Sequence, residues 1–557
     1  MRHRPLTHAQ YVLVNRLAMP VMAFILLIVI GRHSDALLGQ YALVMTYYFI
    51  MQMLPLLGLT SYVMREVARE PSQAGRYFAS VGLMSMIGCV AVDAVCALLL
   101  PLARYPAEAN HAIAIVGVLI FPGILLFIAE LLFMSVHRAR PIALVAVGEN
   151  IARVALSVAA LWLGFGLVAL FWVFFATRLA ALVAYLVCLR QMGIVPRWEL
   201  PDPALLLRTT RMLPAFLVGT VLFAVFSRID FVVLSFFEPV EVIGYYAIGY
   251  RPFEITIMLV TALLMAIFPW ASRIYAHAPR RFRTTSRNVI LSFAALVAVI
   301  AASGALLSQE YVYLLFTRQY PRPVALTELF MAAVALAGLD YVVSGLLHAS
   351  DRQQADTRAM VFGGLAQLGL LFALIPSYGI YGAFAAKLAA TLIQLVFKYV
   401  MMQRTFGALF SAGELLRLAV CGAALGAATY ALLEAHWTVR VAAAVLLPVV
   451  ALPGLALALG LFQPLRLLRY FARHRDAPDV ATMRDLLDMA AADAREHARG
   501  RHTFDRRLLA TLFYRVARYL HLNGRRRLAG VVTFSGGVAT GARIDPESPT
   551  KPEWGAA

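Results

Sequence analysis

Long apolar runs separated by short polar links dominate this chain. Fourteen can be marked, at residues 11–30, 38–60, 78–100, 112–135, 142–163, 168–190, 211–236, 243–270, 288–307, 325–348, 359–376, 380–402, 415–434 and 439–462. They hold about 20 residues each, the length a helix needs to cross ~30 Å of hydrocarbon. The pattern predicts an all-α polytopic membrane protein with fourteen transmembrane helices, followed by a polar tail from residue 465. That confines the function to transport, intramembrane chemistry or assembly.

Composition agrees: 61% of residues are hydrophobic and 14% charged, with a mean hydropathy of +0.76. The basic start, Met1 to Pro5, is not followed by a small-residue cleavage pattern after Ile30, so the first run reads as a retained helix. Cys89, Cys96, Cys188 and Cys421 sit inside apolar runs and read as packing residues, not as a disulfide framework or a metal site.

The net charge of +19 is mostly topology. Twenty-one Arg and Lys flank the runs on one side, from Arg2 and Arg4 through Arg280, Arg281 and Arg283 to Lys398, Arg404 and Arg417. Five, Arg32, Arg104, Arg318, Arg322 and Arg440, flank them on the other. The positive-inside rule then puts both termini in the cytosol. Such a charge distribution needs no nucleic-acid partner, though it attracts anionic membrane lipids.

Two short echoes suggest duplication. Leu38-Gly39-Gln40-Tyr41-Ala42-Leu43 returns as Ile243-Gly244-Tyr245-Tyr246-Ala247-Ile248, offset by 205 residues. Thr177-Arg178-Leu179-Ala180-Ala181 returns as Ala386-Lys387-Leu388-Ala389-Ala390, offset by 209. Near-constant offsets six runs apart predict two six-helix lobes, residues 1–200 and 201–408, related by a pseudo-two-fold axis along the membrane normal. Residues 409–464 add two helices.

The stretch Ile375-Pro376-Ser377-Tyr378-Gly379-Ile380-Tyr381-Gly382-Ala383-Phe384-Ala385-Ala386 resembles a turn found in polysaccharide-unit flippases. These belong to the multidrug/oligosaccharidyl-lipid/polysaccharide exporter superfamily, which also includes the lipid II flippase branch. Asp230 followed by Gly244-Tyr245-Tyr246-Ala247 and Tyr250-Arg251, and Leu38-Gly39-Gln40-Tyr41 followed by Leu57-Gly58-Leu59 and Arg65, resemble further family patterns. The resemblance covers roughly residues 8–462. It implies two lobes around a central lumen and translocation of an undecaprenyl-pyrophosphate-linked oligosaccharide across a bacterial inner membrane. It also implies partners among polysaccharide polymerases and glycosyltransferases. One departure stands out: the family often has Thr where this chain has Lys387.

Ionisable side chains in hydrocarbon cost about 2.5–3.5 kcal/mol or more, so retained ones face a cavity or a partner. Arg153, Arg178, Arg228, Arg251 and Lys387 are the candidate substrate-binding cations. Arg178 and Lys387 occupy equivalent repeat positions, so a two-fold axis would bring them to a shared lumen, where they suit a pyrophosphate or an acidic sugar. Pairing with acids inside the bundle is the alternative. Arg251 with Glu254, and Glu149 with Arg153, have the spacing of intrahelical pairs, whereas Arg228 and Asp230 need partners on other helices. Asp93, Glu130, Asp230 and Asp340 are candidates for coupling to a proton or sodium ion, with hydrogen bonding to a neighbouring helix as the alternative.

The chain shows no catalytic cluster, metal-ligand pattern, cofactor fingerprint or nucleotide phosphate loop. The tail reads as a polar helix at 481–499, an amphipathic one at 504–522 and a disordered end from Val531 to Ala557. Three alternatives stay open. A cation-coupled multidrug exporter would want an acidic cavity. A membrane polymerase or glycosyltransferase would want carboxylates in a large external loop. An assembly protein would work through its tail.

Overall fold

The computed structural model describes residues 22–458, apart from 57–58, 104, 137, 139, 196–198, 278 and 317–320, together with 542–543 and 553–554. The tail helices expected at 481–499 and 504–522 lie outside the described residues. Within the tail, two dipeptide strands, Ala542–Arg543 and Glu553–Trp554, pair antiparallel. This strand pair falls in the stretch expected to be disordered. Contacts gather Met1–Leu452 into one unit and Pro453–Ala557 into another.

Among the described residues, the elements of the first unit are all helices. Its first half comprises α1 (Met22–His33), α2 (Asp35–Met53), α3 (Thr60–Arg69), α4 (Ala74–Leu99), α5 (Ala107–Ser135), α6 (Arg140–Trp162) and α7 (Leu167–Gln191). The second comprises α8 (Pro203–Phe237), α9 (Val240–His277), α10 (Pro279–Leu306), α11 (Ser308–Leu315), α12 (Pro321–Ala349) and α13 (Gln353–Phe406). Then follow α14 (Ala412–Leu433) and α15 (Trp437–Ala458). Among the described residues, nine helices are long and apolar enough to cross a membrane. Large apolar side chains such as Leu98, Leu144 and Trp162 stay exposed on them, as suits a lipid-facing surface.

Two boundaries differ from the sequence reading. The run 38–60 is not one helix: α2 stops at Met53, a 3₁₀ turn follows at Leu54–Leu56, and α3 starts afresh. Pro55 explains this, because it lacks an N–H and crowds the preceding turn. The link expected at 308–324 contains α11.

α13 holds 54 residues, far more than one crossing uses, and breaks at Gly379 (φ 55°, ψ −130°). That backbone conformation is closed to side-chain-bearing residues. The two arms match the runs expected at 359–376 and 380–402. The exposed rings of Tyr378 and Tyr381 flank the turn.

Packing repeats between the halves. In the first, α5 packs against α2, α4 and α7; in the second, α12 packs against α9, α10 and α13. The first core gathers Tyr62, Val67, Tyr77, Phe133 and Tyr185 from α3, α4, α5 and α7. The second is an aromatic cluster in which Phe330 of α12 meets Tyr246, Tyr250 and Phe384, at centroid distances of 5.1–5.2 Å. The halves join along α2 and α9. There Gly39 faces the Val240 carbonyl so closely that a Cβ would lie 1.8 Å from its oxygen, and the Cβ position of Gly244 lies 3.2 Å from the Gly39 Cα. The two echo segments therefore meet each other, glycine to glycine.

Candidate functional site

The halves enclose a cavity of about 360 Å³ between α1 and α2 on one side and α8 and α9 on the other. Most of its wall is apolar, from Leu27, Met45, Phe49, Phe231 and Met258. Three ionised residues enter it: Arg228 from α8, and Arg251 and Glu254 from α9. Arg251 donates from Nη1 to Glu254 Oε2 at 2.7 Å, and Arg228 bonds the other carboxylate oxygen. One acid thus holds two guanidinium groups. The Arg228 guanidinium also lies over the rings of Phe49, Phe231 and Tyr250, at 5.1–5.5 Å from their centroids. An arginine held by aromatic faces keeps its charge while its N–H edge points elsewhere.

One end of the seam is closed. The Arg32 guanidinium caps α11 by donating to the carbonyls of Leu314 and Leu315 at 2.6 and 2.7 Å. Tyr245 donates to Asp35 at 3.1 Å. Tyr105, in the link between α4 and α5, bonds Ser235 of α8 at 2.6 Å and Tyr47 at 3.2 Å. Burial pushes the Tyr105 phenol up from its ordinary range, so it stays protonated in this bridge.

The other expected cations lie elsewhere. Arg178 is buried inside the first half, donating to Glu149 Oε2 at 3.1 Å and to the Tyr48 hydroxyl at 3.0 Å. Tyr48 itself lines the cavity, so Arg178 stands one layer behind it. Arg153 donates to Asn150 at 2.6 Å and stacks on Phe174 at 4.4 Å. The expected Glu149–Arg153 pair is therefore replaced by Glu149–Arg178. Packing of α6 on α7 gives the acid a partner across the helix interface.

Lys387 lies in the second half. It donates to Asp230 Oδ2 at 2.8 Å and to the Ser227 carbonyl at 3.2 Å, while Tyr246 donates to the same Asp230 oxygen at 2.9 Å. Neither Arg178 nor Lys387 lines the cavity between the halves, so the expected shared lumen does not join these two residues. In each case a neighbouring carboxylate holds the cation within its own half.

Among the acids, Glu130 accepts from Tyr185 at 3.1 Å within the first half. Asp93 abuts Gly117, and its Oδ1 has no hydrogen-bond partner among the described residues. Asp340 accepts from Lys398 at 2.8 Å, and Lys398 also meets Asp356 at 3.1 Å. Asp356 in turn bonds His348 at 2.9 Å. Lys398 was expected to flank a membrane edge, but it is 2% exposed. Its rarity was a usable signal, since the chain has 49 basic residues and only Lys387, Lys398 and Lys551 are lysines. Gln367, Gln394 and Tyr341 were also missed. They line a second pocket, of about 120 Å³, beside Lys387 and Asp340. Single polar residues inside apolar runs carry no periodic signal.

Residues 8–275 match the family described as "Polysaccharide biosynthesis protein". A comparison with curated proteins gave no match. Among solved structures, the fold is similar to a lipid II flippase, MurJ, in an inward closed conformation (TM-score 0.63, 12% identity, 81% of this chain and 98% of that one). It is also similar to an inward-facing multidrug resistance MATE family transporter of the MOP superfamily (TM-score 0.57, 14% identity, 71% and 98%). A Vibrio cholerae MATE transporter, VcmN, is a third (TM-score 0.53, 14% identity, 72% and 95%). These likenesses span almost the whole of each relative. This multi-pass membrane protein thus shares its fold with a lipid II flippase and with MATE family transporters, and residues 8–275 carry the match to a polysaccharide biosynthesis family.

Proposed function

We propose that this protein is a flippase that carries an undecaprenyl-pyrophosphate-linked oligosaccharide across a bacterial inner membrane for surface polysaccharide synthesis. In this reading its lobes are residues 1–200 and 201–408, related by a parallel two-fold repeat, with 409–464 as added helices in a fourteen-helix bundle and 465–557 as a cytosolic tail. The matching packing of α5 and α12, and the meeting of Gly39 with Gly244, support the repeat. Both termini lie in the cytosol, which makes the closed end of the seam the external one. Cargo then enters from the cytosol, and opening alternates.

One observation carries the proposal: a mainly apolar cavity between the halves presents Arg228 and Arg251, held by a single Glu254. A diphosphate offers oxygens that both guanidinium forks can grip, replacing the carboxylate. The glycan travels with it while the prenyl chain stays in lipid. Arg178 and Arg153 act behind the wall, positioning Tyr48 and Phe174. Asp230 and Asp340, with Asp93 and Glu130 in the first half, are the acids available for ion coupling. The polymerase and glycosyltransferases of the same assembly line are the expected partners. A cavity with two arginines and one acid suits an anionic cargo better than the cationic drugs of a multidrug exporter.

The test is complementation of a strain lacking this gene. The full chain restores surface polysaccharide, and Arg228→Ala with Arg251→Ala does not, at equal membrane abundance. Full restoration by the double variant would refute the assignment.

A further inference from the structure

The second pocket holds two buried polar atoms without partners. Gln367 is 3% exposed and Asp340 8%; among the described residues neither the Gln367 Nε2 nor the Asp340 Oδ1 has a hydrogen-bond partner. Both line the same space of about 120 Å³, with Gln394, Thr391 and Lys387. Most of its remaining wall is aromatic, from Phe223, Phe226, Tyr250, Phe253 and Tyr341.

The charges nearby are already matched. Lys387 is held by Asp230, and Lys398 by Asp340 and Asp356. An anion would meet the open oxygen of Asp340, and a metal cation would meet an amide N–H and the Lys387 ammonium. A neutral hydroxyl satisfies both open atoms, since it accepts from the amide and donates to the carboxylate. The volume is close to that of a cavity holding one six-membered ring, ~150 Å³ in a well-studied case. Aromatic faces suit the C–H faces of such a ring, because the π surface is negative and the C–H edge positive. Waters alone could fill the polar side but gain nothing from an aromatic wall.

Tyr250 belongs to both spaces. Its ring carries Arg228 at 5.2 Å and Lys387 at 4.9 Å, so it is the partition between the cavity and the pocket.

We propose that this pocket in the second half is a saccharide subsite, which takes one neutral pyranose ring of the glycan while the diphosphate lies between Arg228 and Arg251. The proposal rests on the flippase reading for its biological meaning, but its binding chemistry can be tested alone. Full-length protein in lipid nanodiscs is probed by saturation-transfer NMR with methyl glucoside, galactoside, mannoside and N-acetylglucosaminide, against glycerol as a small polyol. At least one pyranoside is expected to receive saturation above glycerol. The transfer should fall about five-fold in Gln367→Leu, the loss of roughly one hydrogen bond. If Gln367→Leu does not remain monodisperse, Gln394→Leu decides in its place.

Equal signals for all pyranosides and glycerol, or a signal unchanged in both glutamine variants, would overturn the subsite. Water as the only occupant gives the first of these results. Transport of lipid-linked oligosaccharide in liposomes, run on the same preparations, separates the two claims. Transport without pyranoside binding removes the subsite alone. Pyranoside binding lost in Gln367→Leu, without transport, keeps the subsite and removes the flippase reading.

Discussion

Each half carries one of the two cations that the sequence echo aligns, Arg178 and Lys387, and uses it differently. In the first, Arg178 is sealed among Glu149, Tyr48 and Phe174. In the second, Lys387 pairs with Asp230 but borders open space beneath Tyr250. The guanidinium, with several fixed donors, engages a carboxylate, a hydroxyl and a ring at once. The ammonium is compact, and its surroundings in this chain leave a pocket. A matching sequence echo therefore does not mean a matching role: the first half is built as a stiff wall, and the second keeps room inside.

The largest expected effect comes from breaking the wall. Arg178→Ala leaves Glu149 buried without its counter-charge, a change that costs about 3–5 kcal/mol. Thermal unfolding in detergent should show a marked loss of stability, and an unshifted transition would mean the pair is dispensable. Glu149→Gln with Arg178→Met, which removes both charges, should recover most of that loss.

Next comes the cavity. Arg228→Ala keeps the fold but removes charge-assisted bonds worth about 1.5–3 kcal/mol. Transport in liposomes should fall roughly 10- to 100-fold. A similar fall in Lys387→Ala, with Arg228→Ala unaffected, would reverse the comparison and make the second half's pocket the main path.

A smaller effect is expected at the seam. In Gly39→Ala the added carbon has no room against Val240, and overpacking of this kind costs about 1–3 kcal/mol. The seam should part, raising the labelling of a cysteine placed at Tyr245. Unchanged labelling would show that the halves can slide past each other. The smallest effect belongs to Arg32→Ala, which removes a partly exposed cap on α11 worth about 1 kcal/mol. It should loosen the closed end and raise the same labelling only slightly.

Much of the architecture was legible from hydropathy, because burial in lipid demands unbroken apolar runs. The Gly379 turn was legible too, since proline and glycine act on the backbone locally. The break at Pro55 was hidden by apolar residues on both sides. In the site, the Arg251–Glu254 pair followed from helical spacing. Arg228 and Asp230 found partners on other helices, as their spacing requires. What could not be read was direction. Whether Arg178 looks into a cavity or into its own half depends on how α6 and α7 pack, and no single run encodes that. Gln367 and Lys398 are the same case: one polar residue in an apolar run shows that a partner exists without showing where.

The central claim is that an anionic headgroup displaces Glu254 between Arg228 and Arg251. The most direct measurement is the binding of undecaprenyl diphosphate to full-length protein in nanodiscs, for the wild type, Glu254→Gln and Arg228→Ala. Glu254→Gln should bind at least as tightly as wild type, since it removes the competing carboxylate, and Arg228→Ala should bind at least about ten-fold more weakly. Equal affinities for all three, or loss of binding in Glu254→Gln alone, would contradict the account.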